Sequence, residues 1–222
     1  MSVGDGSTGA PADEDEDDRT RLVREGYDVL SYRYRGDDAD EGRYAPWLAT
    51  LKDRLPADGR VLDVGCGCGV PVARSLADAG FTVRGIDISE TQIERARRLV
   101  PTALFMQADA TRIAFADEVF DAVVCLYSLI HMRLEKQPKL LRHIGQWLRP
   151  GGWLLATAGS QAWTGTEENW LGGPAPMWWS QGDTADYRSW LREAGLEITE
   201  EGFVPEGDGG HALFWARKPA WA

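Results

Sequence analysis

Long apolar runs, cysteine, histidine and excess basic charge are all scarce in this chain, and each scarcity removes a class of function. The longest apolar run, Ala122 to Ile130, falls far short of the roughly 18 residues that a membrane-spanning helix needs, so no membrane partner is expected. Three cysteines occur among 222 residues: Cys66, Cys68 and Cys125. Cys66 and Cys68 sit too close for an easy disulfide, and no second Cys or His pair at ligand spacing accompanies them, so structural thiols and no metal are expected. The 24 basic residues face 35 acidic ones, for a net charge of -11. Nothing resembles the basic stripe that a phosphate backbone requires, which argues against a nucleic-acid partner. Internal repeats are absent as well. The first residues are Gly, Ser and acids rather than a basic and then apolar segment, so no secretory signal is expected and a cytoplasmic location follows by default.

The acidic excess is concentrated. Residues 1 to 18 hold seven of the acids and no base, too little apolar surface to offset the entropy of ordering, and read as a solvated tail. Residues 19 to 222 then read as one domain. Leu22, Val23, Tyr27, Leu30 and Tyr34, followed by Tyr44, Trp47, Leu48, Leu51 and Leu55, recur at helical spacing. From Arg60 onward short apolar strands alternate with helices: strands at Arg60 to Val64, Phe81 to Ile86, Ala103 to Gln107, Phe120 to Leu126 and Trp153 to Thr157. Ser89 and Gln92 form a capping-box pattern before one helix, and Pro138 opens another. Near-continuous apolar strands in such a βαβ progression predict an α/β, doubly wound parallel sheet covered on both faces. Residues 159 to 182 lack periodicity and are rich in Gly, Pro and Trp, the pattern of a lid insertion. Leu196 to Phe203 and His211 to Arg217 close the chain as an antiparallel hairpin.

The most informative stretch is Val61-Leu62-Asp63-Val64-Gly65-Cys66-Gly67-Cys68-Gly69. It follows a strand and opens a helix, where backbone N–H groups meet a ligand at the carboxyl edge of a sheet. Dinucleotide sites space their glycines G-x-G-x-x-G, whereas Gly65, Gly67 and Gly69 run G-x-G-x-G after an acid. Asp63 at the end of a buried strand needs donors, which the loop amides or a ligand ammonium would supply. Asp87 ends the second strand, placed to accept both hydroxyls of a ribose. Asp109, after the third strand, is placed for the exocyclic amine of a base.

In order, V-L-D-V-G-C-G-C-G-V, G-I-D-I-S, Q-A-D-A, F-D-A-V-V-C-L-Y and L-R-P-G-G-W-L-L resemble the motifs of class I S-adenosylmethionine-dependent methyltransferases over roughly residues 25 to 218. The resemblance implies a Rossmann-like sheet of seven strands, ordered 3-2-1-4-5-7-6 with the last antiparallel. It implies S-adenosylmethionine as cofactor, with Gly65, Gly67 and Gly69 near the methionine part, Asp63 holding the loop or the ammonium, and Asp87 on the ribose. Asp109 and Ala110 would border adenine, Ile88 and Leu126 would complete the cofactor set, and Tyr27 and Tyr34 from the N-terminal helix would close over the methionine end. Cys68 departs from the Thr or Ser common at its position.

Acceptor classes narrow at Cys125-Leu126-Tyr127-Ser128. The Asn/Asp-Pro-Pro-aromatic motif of base- and amide-nitrogen enzymes is absent there, the glutamate pair of protein-arginine enzymes is reduced to Glu135, and the carboxylates of metal-dependent catechol enzymes are missing from Val123 to Met132. A small-molecule acceptor methylated on oxygen or nitrogen, possible in natural-product metabolism, is left. Seven of the ten Trp residues follow residue 160, and Trp178 and Trp179 in the insertion suit an aromatic or apolar acceptor. His131, just past the fourth strand, is the candidate general base, titrating near its ordinary pKa of about 6.5, with Tyr127 as an orienting hydroxyl. Two rivals stand beside this reading: a nicotinamide oxidoreductase, disfavoured by the glycine spacing, and a non-catalytic sensor of adenosine ligands.

Overall fold

The computed structural model describes residues 17–220, so the tail expected over residues 1 to 18 lies outside it except for its last two members. Those two belong to the fold. Asp17 caps helix α1 (Asp18–Tyr34), its carboxylate accepting from the N–H groups of Arg19 and Thr20 at 3.0 and 3.1 Å. Burial would raise the Asp17 pKa, but the Lys136 ammonium 3.0 Å away and the Thr20 N–H outweigh it and hold the group at about 2. Asp17 and Asp18, expected in the tail, are therefore part of the folded domain.

Helix α2 (Ala45–Arg54) follows, with Leu48 and Leu51 fully buried. The alternation then runs β1 (Arg60–Val64), α3 (Val72–Asp78), β2 (Thr82–Asp87), α4 (Glu90–Leu99), β3 (Leu104–Gln107), β4 (Phe120–Cys125), α5 (Gln137–Trp147) and β5 (Leu148–Gly159). After β5 come the hairpin β6 (Trp163–Glu167) and β7 (Met177–Gln181), then α6 (Thr184–Glu193), β8 (Glu197–Glu206) and β9 (Gly209–Arg217).

Seven strands form one sheet in the order β3-β2-β1-β4-β5-β9-β8, parallel from β3 to β5 and antiparallel at β5–β9 and β8–β9. This is the expected 3-2-1-4-5-7-6 arrangement with an added hairpin. One face packs Leu48, Leu51, Leu76, Ile93 and Ala96 of α2 to α4 against Val61, Val83 and Val124. The other packs Leu140, Leu141 and Ile144 of α5 with Tyr187 and Leu191 of α6 against Leu62, Val123 and Leu154. Strand order reverses between β1 and β4, and the crevice above that switch point is where an open parallel sheet receives ligands.

Two local expectations are revised. Residues 159 to 182 are not irregular: β6 and β7 pair antiparallel from Trp163↔Gln181 to Glu167↔Met177. Ser89 caps α4 by accepting from the Gln92 N–H at 3.1 Å, but Gln92 does not complete the box, because its side-chain oxygen accepts instead from the Ser31 hydroxyl of α1 at 2.9 Å. That exchange anchors α1. Ser89 also donates to Asp28 at 2.6 Å, and the buried Arg95 donates to Ser31 at 2.6 Å and to Asp37 at 2.6 Å.

Candidate functional site

The loop from β1 into α3 is shaped by its glycines. Gly65 and Gly67 take φ of +71° and +53°, a region that side chains disfavour. A Cβ on Gly65 would lie 2.3 Å from the Ser128 hydroxyl, whereas one on Gly67 would have no neighbour closer than 3.9 Å. Gly65 is therefore required by packing of the loop against Ser128 in the turn after β4, and Gly67 by backbone direction alone. Gly69, at φ +80°, departs from expectation: its position faces Phe105, Val100 and Ala96, and it lines neither cavity described below. It serves the packing of α4 and β3.

The loop amides do not go to Asp63. Gly65 and Cys66 donate to the Ile86 carbonyl at 2.8 and 3.0 Å, and Gly67 donates to Asp87 at 2.9 Å. Asp63, 3% exposed, is left with a buried oxygen, Oδ2, that has no partner. Burial, with the Asp87 charge behind it, pushes the Asp63 carboxyl up to about 8. A small cavity of about 390 Å³ beside it is lined by Asp63, Gly65, Gly67, Cys68 and Leu126 together with Tyr34, Tyr44 and Arg35. The Arg35 guanidinium donates to the Tyr44 hydroxyl at 2.9 Å and lies 5.3 and 5.2 Å from the centres of the Tyr34 and Tyr44 rings. No sequence motif marks Arg35, since it follows the last turn of a helix whose other residues carry the periodicity.

The adjoining cavity, about 750 Å³, runs along the carboxyl ends of β1, β2 and β4. Its walls include Asp87, Ile88, Asp109, Ala110 and Leu126, all expected there, together with Tyr27 and Tyr34 from α1. Asp87 accepts from Gly67 and Ser89 N–H groups, both at 2.9 Å; burial raises its carboxyl to about 6 against the pull of those two donors. Each carboxylate oxygen retains a second lone-pair direction for a ligand hydroxyl. Asp109 spends Oδ1 on Thr111, accepting from its N–H at 2.8 Å and its hydroxyl at 2.7 Å.

His131 stands where this cavity meets a wider cleft. Its Nδ1 lies 2.9 Å from the Trp178 carbonyl oxygen and its Nε2 2.9 Å from the Tyr27 hydroxyl. A carbonyl only accepts, so Nδ1 carries the hydrogen and the bare Nε2 receives the Tyr27 O–H. Burial lowers the imidazole to about 4. The expected titration near 6.5 is thus displaced, and the lone pair that a base would use is already engaged. Tyr127 holds φ +57° while its N–H donates to the hydroxyl of the fully buried Thr157 at 2.6 Å. Tyr127 lines both this cavity and the cleft.

The cleft, open to solvent, is walled by Trp163, Trp170, Trp179, Tyr44 and Tyr127 together with Arg43, Glu206 and His211. Of the two expected tryptophans only Trp179 reaches it, tilted over His131 at 4.7 Å between ring centres. Trp178 alternates to the other side of β7, 6% exposed, against Val23 and Met177. It contributes its backbone carbonyl, through His131, rather than its indole. Among the described residues no group of three or more His, Cys, Asp or Glu is placed to hold a metal ion, and no helix is long and apolar enough to cross a membrane.

Comparison with known proteins agrees with this layout. Residues 34–201 match the family model described as a methyltransferase domain. Methyltransferase GfsG of Streptomyces halstedii is 38% identical over 157 residues, 60% of this chain and 56% of its own. The 27-O-demethylrifamycin SV methyltransferase of Amycolatopsis mediterranei is 35% identical over 152 residues, 59% of this chain and 55% of its own. The chain thus aligns with only about half the length of these relatives. Among solved structures, magnesium protoporphyrin IX methyltransferase (ChlM) from Synechocystis PCC 6803 with bound SAH superposes with a TM-score of 0.71 at 22% identity, covering 90% of this chain and 100% of that one. The [4+2]-cyclase SpnF superposes with a TM-score of 0.70 at 21% identity over 90% of this chain and 97% of that one, a reminder that the scaffold does not dictate the reaction. With glycine loop, strand order and the three strand-end acids all in place, and a family model spanning three quarters of the residues, the chain belongs to the methyltransferase domain family.

Proposed function

We propose that the protein transfers a methyl group from S-adenosylmethionine to an oxygen or nitrogen of a small, aromatic or polyketide-like organic molecule. The observation that supports this reading is that Asp63 and Arg35 line the same small cavity. An unpartnered buried carboxylate oxygen and an arginine lining one cavity fit the ammonium and carboxylate of a methionine zwitterion. A neutral or phosphorylated dinucleotide would leave Asp63 unsatisfied. The names of the relatives, a demethylrifamycin methyltransferase and the O-methyltransferase cnsE of Penicillium expansum, favour oxygen and a natural-product setting.

When bound, S-adenosylmethionine supplies a methyl group made electrophilic by its sulfonium. The chain's own residues hold and align. Asp87 accepts from the ribose hydroxyls, Ile88 and Ala110 cover the adenine, and Asp109 meets its amine. Tyr27, Tyr34 and Tyr127 wall off the methionine end from water, and Trp179 with Trp170 flattens the acceptor against it. Orientation and desolvation of this kind supply much of the acceleration in a displacement that needs little further chemistry from the protein.

Calorimetry with S-adenosylmethionine tests the reading. Wild-type protein should bind it and Asp87→Ala should bind it more weakly by about 1.5 to 3 kcal/mol, the scale of hydrogen bonds to a charged acceptor. Binding of NADH at comparable strength, or an unchanged affinity in a folded Asp87→Ala protein, would defeat it.

A further inference from the structure

Four rings from three separate stretches of the chain close into a circuit between the two cavities. Tyr27 of α1 stands edge-on to His131 at 5.3 Å and to Trp170 at 5.5 Å between ring centres. His131 faces Trp179 of β7, tilted by 37° at 4.7 Å, and Trp170 meets Trp179 edge-on at 5.5 Å. Two hydrogen bonds run through the same circuit, from the Tyr27 hydroxyl to His131 Nε2 and from His131 Nδ1 to the Trp178 carbonyl, both 2.9 Å. An imidazole engaged at both nitrogens has no lone pair to offer an acceptor. Resting on the proposed binding of S-adenosylmethionine, we infer that His131 is a positioning residue, which carries occupancy of the cofactor cavity from Tyr27 to the Trp179 wall of the acceptor cleft.

The two ends of the bridge belong to different sites. Tyr27 lines the cofactor cavity, whereas Trp170 and Trp179 line the cleft and not that cavity. The Tyr27 oxygen is rigid with its ring, so a cofactor packed on the ring fixes where the hydroxyl points. At the other end, the Trp178 carbonyl shares a peptide plane with the Trp179 nitrogen and Cα. Holding that oxygen sets the direction from which the Trp179 indole leaves the strand. The hairpin also rests directly on α1: Met177 and Trp178 pack on Val23, and a Cβ on Gly26 would lie 2.9 Å from the Pro176 carbonyl. Apolar packing of that kind is non-directional, whereas a hydrogen bond weakens steeply as its angle closes, so the bridge is the part of the contact that transmits orientation. By linkage, an acceptor that settles on Trp179 strengthens the hold on the cofactor in return.

Fluorine NMR of protein labelled with 5-fluorotryptophan tests this with S-adenosylhomocysteine, which fills the cofactor cavity and transfers nothing. Trp179→Phe identifies the Trp179 resonance among the ten indoles. In the wild-type protein, saturating S-adenosylhomocysteine should move that resonance although the indole does not line the cofactor cavity. Tyr27→Phe removes the hydroxyl and keeps the ring; His131→Asn keeps an N–H for the Trp178 carbonyl and withdraws the acceptor of Tyr27. Each should lose at least about two-thirds of the shift, and the double variant no more than either alone, as expected when two changes cut one bond. Should one variant fail to fold, the other cuts the same bond. Calorimetry on the same samples sets saturation, so weakened binding is not mistaken for lost transmission. A Trp179 resonance that stays put in ligand-bound wild-type protein, additive losses in the double variant, or a full shift in either folded variant, whatever its melting temperature, would each overturn the inference. Failure of the wild-type protein to bind S-adenosylhomocysteine would instead bring down the reading on which it rests.

Discussion

Asp63 holds its proton at neutral pH, because burial has moved its carboxyl to about 8. An ammonium group arriving beside the unpartnered Oδ2 reverses that preference, so cofactor binding should expel close to one proton at pH 7 and none well above pH 8. Calorimetry in buffers of different ionisation heat measures this directly, and Asp63→Asn should abolish it; proton-free binding at pH 7 would remove Asp63 from the ammonium site. His131 yields the opposite kind of expectation. With its pKa near 4 and its Nε2 occupied by Tyr27, His131→Ala should leave the shape of the rate profile between pH 5 and 8 unchanged, and any loss of rate should be matched by Tyr27→Phe. A limb near pH 6.5 that vanishes only in His131→Ala would restore His131 as the base.

The hairpin β6–β7 divides two jobs between adjacent residues of one strand. Trp179 faces the cleft and Trp178 the core beneath α1. Trp179→Ala should raise the acceptor KM about tenfold with little change in melting temperature, whereas Trp178→Ala should cost about 3 kcal/mol or more in stability, as truncations of buried aromatics do. The reverse pattern in thermal melts and kinetics would show that the two indoles have been assigned to the wrong faces. This division was invisible in the sequence. Trp163-Thr-Gly-Thr-Glu and Met177-Trp-Trp-Ser-Gln carry no clean alternation, because one face of so short a hairpin meets a helix and the other a cleft, and both accept aromatics. The central parallel strands β1 and β4 were legible because both their faces are buried, Asp63 and Asp87 because each stands at the carboxyl end of a strand, and Asp109 because it follows β3 by two residues. Thr157 was not, since its partner Tyr127 lies 30 residues away, and Arg35 and Glu206 were not, since no periodicity or motif marks a single polar side chain that pairs across a turn with Tyr44 or His211. Gly69 shared the motif's spacing yet serves packing, which spacing alone does not distinguish.

Ionisation at the site sets how the whole molecule responds to pH. Folding favours neutral Asp63, so the unfolded chain binds fewer protons than the folded one between about pH 4 and 8, and this contribution to stability is lost as pH rises through 8. His131, depressed to about 4, acts in the other sense: its contribution is complete above about 6.5 and is lost as pH falls through 4. Between pH 6.5 and 8 the Asp63 effect dominates this pair, so the melting temperature of the free protein should decline across that interval and S-adenosylmethionine should raise it more at pH 8 than at pH 6.5. A ligand-induced shift that is equal at both values would contradict the assignment. Helix α1 ties these equilibria to time. It supplies Thr20, Val23, Tyr27 and Tyr34 to the cofactor cavity and is latched through Asp28 to Ser89, Ser31 to Gln92, Tyr27 to His131 and Asp17 to Lys136. The acceptor cleft borders the same tyrosines from outside. On the proposed function this layout predicts ordered binding, S-adenosylmethionine before acceptor, and product-inhibition kinetics check it: random-order patterns would show that α1 does not close one site behind the other.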